Sequence, residues 1–227
     1  MRRRDVLVSV SVGSVVMLTG GCSLLRSHWR YRYRLTVEVD RNGESFRGSS
    51  VIEVIRTKGY DRILGTTRGE AVVVDIPDAG SLFLLLNGEP GHADWPYTMP
   101  HYAFQKQLGS VAMVDPELLA KLEHMQGTKV VLERRYYPML VTFTDITDPA
   151  SVKLVDPTDL TASFGPGVEL KRIAVEITDD PVTTGIEKRL GWLGDYYAKR
   201  LDGQRFGDGT SLANDLSAGA FSTESKQ

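Results

Sequence analysis

Trp29-Arg30-Tyr31-Arg32-Tyr33-Arg34-Leu35-Thr36-Val37-Glu38-Val39-Asp40 alternates apolar and polar residues without a break. A period of two is that of a β-strand, whose successive side chains point to opposite faces of a sheet. One face is aromatic and β-branched, the composition that packs best on a pleated surface. The other is charged, basic at its start and acidic at its end. Arg41-Asn42-Gly43 follows, and Asn-Gly tolerates the positive φ angles of a type I′ hairpin turn. The returning strand is expected over Ser45 to Arg56, with a bulge where the pattern changes phase near Gly48-Ser49-Ser50.

Working outward, residues 57–69 are polar and carry three glycines, which reads as a loop. Strands are expected at Glu70–Ile76 and Ser81–Leu86, joined by a turn at Pro77-Asp78-Ala79-Gly80. Asn87 to Pro100 reads as irregular, and Tyr102 to Leu108 as a short helix. Asp115 to Gly127 is the best helical stretch, with Asp115 to cap it, Pro116 in its first turn and Gly127 to end it. Further strands are expected at Lys129–Glu133, Met139–Asp145, Val152–Val155 and Val168–Thr178. A helical turn falls between Asp156 and Phe164, and the last strand carries a bulge at Lys171-Arg172. Thr184 to Leu201 reads as an interrupted helix, with Thr184 and Glu187 as a capping box. Hairpin-type connections without regular βαβ alternation predict an α+β fold, mostly antiparallel β, either a sandwich or a layered sheet with two or three helices.

At the other end of the strand pattern lies a different kind of segment. Arg2-Arg3-Arg4 precedes an apolar run from Val6 to Leu18, and Thr19-Gly20-Gly21 leads to Cys22, the only cysteine. The run falls short of the about 20 residues that a spanning helix needs, and the arrangement is that of an export signal. It resembles a bacterial lipoprotein signal peptide. That resemblance implies removal of residues 1–21, diacylation of the Cys22 sulfur, and a membrane anchor facing the periplasm. It departs from the family pattern at Thr19, since the preferred leucine stands one residue earlier, as Leu18. Arg3-Arg4-Asp5-Val6-Leu7 also resembles the twin-arginine export pattern, so Sec and twin-arginine export both stay open. In the lipoprotein family a serine after the cysteine, here Ser23, goes with outer-membrane sorting, under a rule that varies among bacteria.

The organisation expected is therefore a signal over 1–21, a tether over 22–28, one β-rich domain over 29–201, and a mobile tail over 202–227 on which Leu212 and Leu216 dock. The net charge of −2 becomes slightly more negative once Arg2, Arg3, Arg4 and Asp5 are set aside. That balance argues against a nucleic-acid partner, which calls for a strong basic excess. A single cysteine excludes a disulfide within the chain.

Candidate chemistry is sparse. His92, Asp94 and His101 fall within one proline-containing stretch and supply N and O donors of the type that hold zinc or another divalent metal. Against this, Asp94 before Trp95-Pro96 is what a turn uses, and no cofactor is expected beyond a covalent lipid at Cys22. Asp156 with Asp159, and Asp179 with Asp180, are the nearest carboxylate pairs for glycoside hydrolysis. Both sit beside prolines at element ends, where aspartates cap turns. His124 at a helix end is explained by the helix dipole. No Gly-x-Ser-x-Gly, Ser-x-x-Lys, P-loop, Gly-x-Gly-x-x-Gly or His-Glu-x-x-His motif occurs. The row Arg30, Arg32, Arg34 faces either a membrane or acidic partner, or acidic neighbours across the sheet, the latter being the commoner use of such a face.

Three segments, Tyr31 to Val39, Gly48 to Val54 and Pro181 to Leu190, resemble a family of uncharacterised bacterial proteins. The resemblance implies one coherent domain and carries no activity. The reading that follows is a lipid-anchored envelope protein that binds another envelope protein or a cell-wall component. Its alternative is a small envelope hydrolase or metalloenzyme built on His92, Asp94 and His101.

Overall fold

The structure is a computed structural model that describes residues 28–88 and 94–224. Among these residues nine strands form two antiparallel sheets. The first has the order β3-β2-β1-β9-β6, with β1 (His28–Arg41), β2 (Glu44–Lys58), β3 (Ile63–Arg68), β6 (Lys129–Val131) and β9 (Val168–Ile177). The second has the order β4-β5-β7-β8, with β4 (Val72–Ile76), β5 (Gly80–Leu84), β7 (Leu140–Phe143) and β8 (Val152–Leu154). Five α-helices accompany them: α1 (Trp95–Ala103), α2 (Gln105–Leu108), α3 (Pro116–Glu123), α4 (Thr161–Phe164) and α5 (Leu212–Asp215). This is an α+β fold, mostly antiparallel β, as the alternation predicts.

Strand β1 is the centre of the first sheet. Its apolar residues Trp29, Tyr31, Tyr33, Leu35, Val37 and Val39 are at most 3% exposed. They pack against Val72, Val74 and Ile76 of β4, Leu82 and Leu84 of β5, and the buried faces of α1 and α3. The hairpin turn forms as expected, with Asn42 at φ 53° and Gly43 at φ 89° and Arg41 opposite Glu44. The bulge on β9 also forms: Glu38 faces Arg172 while Val39 faces Leu170, which leaves Lys171 as the extra residue.

The second sheet is apolar on both faces. Leu82 and Leu84 face the first sheet, while Phe83 and Leu85 face a second core. That core is closed by Ile186, Leu190, Leu193, Leu201, Leu216 and Phe221, all from the last fifth of the chain. The molecule thus has three layers: sheet, sheet, and a cover of short turns.

Several expectations are corrected. Residues 57–69 are no simple loop, because Ile63–Arg68 pairs with β2. There is no bulge at Gly48: β1 and β2 keep one register from His28–Thr57 to Arg41–Glu44. The glycine is needed because a Cβ there would lie 2.0 Å from the Val73 carbonyl oxygen of β4. Residues within Asn87–Pro100 form the start of α1 rather than irregular chain. Thr184 to Leu201 forms only 3₁₀ turns, at Ile186–Lys188 and Leu193–Tyr196. Gly185 starts the first of them at φ 119°, and the Thr184 side chain makes no cap. Within the stretch expected as a mobile tail, residues 203–211 are exposed, while Leu216 is buried, as expected, together with Phe221, whose carbonyl accepts from the Ala71 N–H at 2.8 Å.

Candidate functional site

The site of most interest lies on the inner face of the first sheet, at the end where β1 begins. Trp29 stands directly opposite Arg56, Tyr31 opposite Val54, and Gly65 of β3 opposite Arg56 on the other side. An arginine on a core-facing position needs room and partners. Room comes from Gly65, where a Cβ would come within 2.8 Å of both Arg56 Nη1 and the Tyr97 ring. The guanidinium lies 4.7 Å from the centre of the Tyr97 ring, and Nη2 donates to the Met113 carbonyl at 3.0 Å. Such a cation–π contact contributes about 0.5–2 kcal/mol. Arg56 is only 2% exposed, and among the described residues no carboxylate pairs with it.

Helix α1 roofs this end, and its two prolines explain how. Pro96 stands in the first turn, where a missing N–H costs nothing. Pro100 stands inside the helix and cannot donate to the carbonyl four residues back. That carbonyl is Pro96 O, and the buried Tyr33 hydroxyl donates to it at 2.9 Å instead. The helix is held further by Trp95 Nε1 donating to the Tyr136 carbonyl at 2.9 Å, and by Tyr102 stacked on Tyr136 at 4.8 Å.

His101 projects from α1 into the same region and is fully buried. Burial, with the Arg56 charge second, lowers its pKa to about 4, so the imidazole is neutral at pH 7. Burial also holds the Tyr31 hydroxyl well above its ordinary value, against the smaller pull of Arg56. Among the described residues, the buried side-chain polar atoms without a partner are Trp29 Nε1, Tyr31 Oη, Arg56 Nε and Nη1, and both ring nitrogens of His101. They all belong to this one cluster.

The residues singled out from sequence are distributed differently. Cys22 and His92 lie outside the described residues. Asp94 is exposed at the N-terminus of α1 and His101 is buried seven residues on. At 1.5 Å rise per residue they stand about 10 Å apart along the helix, too far to share an ion. His101 also faces a guanidinium, which repels a metal cation. Among the described residues no group of three His, Cys, Asp or Glu is placed to hold a metal. Asp156 and Asp159 accept from Thr158 and Ala162 backbone N–H groups, as turn residues do.

The arginine row is largely engaged. Arg32 reaches the buried Glu53 at 3.0 Å and donates to the carbonyls of Asp179 and Asp180. Arg34 pairs with Asp180 and lies 3.9 Å from Glu176. Arg30 is 62% exposed and 4.0 Å from Glu53. These contacts clamp the segment 178–183, which leaves β9 on one side of β1 and crosses to the far edge of β2. There Thr183 donates its N–H to the Val51 carbonyl, and its hydroxyl accepts from the Val51 N–H at 2.8 Å. Sequence reasoning anticipated the cross-strand pairing but not the strap.

Two clefts lie elsewhere on the molecule. One, of about 660 Å³, is lined by Trp95, Arg134, Tyr137, Leu154 and Asp156, and its charges Arg134 and Asp156 pair at 3.5 Å. The other surrounds Glu70, whose carboxyl burial pushes up. Glu70 accepts from the Ile186 N–H at 2.9 Å and so satisfies the open start of the 3₁₀ turn there. Arg56 and Glu70 are buried charged residues that sequence reasoning did not single out. Arg56 closes an apolar–polar strand as an ordinary surface residue would, and only the register shows it facing inward. Site and fold therefore stand on their own geometry, for no protein-family model matches the chain, and no curated protein or solved structure does.

Proposed function

We propose that the chain is a lipid-anchored protein of the bacterial cell envelope that acts by binding, with Cys22 as the acylated residue. Its partner is another envelope protein or a cell-wall component. Support comes from the sequence Arg2 to Cys22 taken together with the position of β1 in the sequence. Strand β1 starts at His28, six residues after Cys22, so the domain sits within roughly 20 Å of the anchor even with those residues extended.

The observation that carries the reading is what lies at that end. His28 is opposite Thr57, so the β2–β3 hairpin tip is beside the point where the chain enters. The tip exposes Tyr60 fully and Leu64 by half, with Lys58 and Arg62 next to them. Tyrosine is at home at the membrane–water interface. Basic groups near an anionic surface contribute roughly 1 kcal/mol each. Two acyl chains at about 0.8 kcal/mol per buried CH₂ suffice for a stable anchor. The opposite hairpin tip at Asn42 stands about 45 Å away, a full strand length.

The test is membrane fractionation with mass spectrometry of the N-terminus, beside a Cys22→Ala control. The wild-type chain is expected in the membrane fraction with an acylated Cys22 as its first residue, and the variant in the soluble fraction. Affinity purification from gently solubilised membranes then names the partner. A wild-type chain that is soluble and unacylated overturns the proposal.

A further inference from the structure

Six unfilled polar atoms in one cluster are too many to leave empty. Each buried polar group without a partner costs about 1–3 kcal/mol, and a whole domain is stable by only about 5–15 kcal/mol. The cluster is also rich in donors, its one pure acceptor being the unprotonated ring nitrogen of His101. Trp29 Nε1, Arg56 Nε and Arg56 Nη1 are donors only, a neutral His101 brings one more N–H, and Tyr31 Oη donates readily. A buried cation without a counter-charge adds a further cost of several kcal/mol.

Position brings these groups together. Trp29 is directly across from Arg56, and Tyr31 is diagonal to it on the same face. The Arg56 charge reaches both Tyr31 and His101. Water would accept hydrogen bonds here but would leave the guanidinium charge unbalanced. An anion supplies acceptor capacity and counter-charge at once. The four residues are at most 3% exposed, which favours a small ion of single charge over a sulfate or phosphate, whose desolvation costs more.

We propose that Trp29, Tyr31, Arg56 and His101 form an internal site for a small monovalent anion of the halide type, with chloride as its occupant. Arg56 Nε and Nη1 are the charged ligands, and Trp29 Nε1, Tyr31 Oη and a His101 N–H complete the shell. The ion ties α1 to the centre of the first sheet.

Thermal unfolding of the full chain in detergent tests this, with chloride titrated against gluconate at constant ionic strength. The midpoint is expected to rise with chloride and saturate, by about 5 °C or more for a filled site. Bromide replaces chloride and sulfate does not. Arg56→Met removes the dependence. Superimposable curves in chloride and gluconate overturn the proposal and leave water as the occupant. Should Arg56→Met fail to fold, crystals of the wild-type chain grown in bromide decide the matter. Anomalous density within hydrogen-bond distance of the Arg56 guanidinium supports the site, and a featureless water peak there overturns it.

Discussion

At the scale of single residues, the end of the sheet under α1 is organised by groups whose usual partners are missing. Pro100 has no N–H, so Pro96 O is free, and Tyr33 takes it. His101 has no partner on either nitrogen and is held neutral. The histidine makes stability depend on pH in a definite direction. The folded ring takes its proton only near pH 4, whereas the unfolded one does so near 6.5. Between those values the unfolded chain binds more protons, so stability present above pH 6.5 is lost as pH falls toward 4. The loss amounts to about 3 kcal/mol at most. Glu70 works the other way, because its carboxyl is raised and its contribution fades as pH rises. Urea unfolding in chloride-free buffer at pH 7 and pH 4.5 separates the two. The wild-type chain is expected to lose more stability over that interval than His101→Gln does, and equal losses would remove His101 from the account. None of this was legible in the sequence. A histidine directly after a proline reads as a loop ligand until the helix shows which way it faces.

At the scale of elements, legibility follows how local the cause is. The alternation from Trp29 to Asp40 and the Asn42-Gly43 turn are settled by neighbours in sequence, and both form as read. The helix capped by Asp115 forms too, with the Asp115 carboxylate accepting from the Glu117 N–H at 2.8 Å. Gly48 and Gly65 have distant causes. Each marks a place where another element passes closely, β4 over Gly48 and Tyr97 over Gly65, and the sequence alone offers only a bulge or a loop. Gly48→Ala therefore forces β4 away from β2 and is expected to cost about 3 kcal/mol or more, as overpacking does. Chemical denaturation measures it, and a change below about 0.5 kcal/mol, the range of neutral surface substitutions, would mean the strands have room. The segment 184–201 departs from its expected helix for a local reason. Its period suits a helix, but Gly185 and Gly191 remove the propensity, and the apolar side chains are used one turn at a time against the second sheet.

At the scale of the whole molecule, the second sheet is sandwiched because both of its faces are apolar. Phe83 and Phe143 meet edge to face at 5.4 Å, and Phe221 and Trp192 close over them. The polar composition of residues 202–227 concealed this, since the few apolar residues that matter are spread thinly through it. Phe221→Ala is expected to destabilise the protein by about 3–5 kcal/mol, the usual cost of a buried phenylalanine. A shift under 1 kcal/mol in urea would make the third layer an accessory rather than part of the core.

The placement of β1 has a consequence in time. The central strand is among the first parts of the domain to be made, and β9, which completes its pairing from Tyr33 to Arg41, comes some 130 residues later. Contacts so distant in sequence form slowly, on the order of milliseconds to seconds. Until β9 has emerged, the edge of β1 from Tyr33 to Arg41 stays open, although α1, the roof over Trp29 and Tyr31, is made well before it. A sheet whose central strand gains its second neighbour only when β9 arrives leaves that edge unpaired for most of the chain's synthesis, and an open strand edge is where a growing polypeptide most needs guarding.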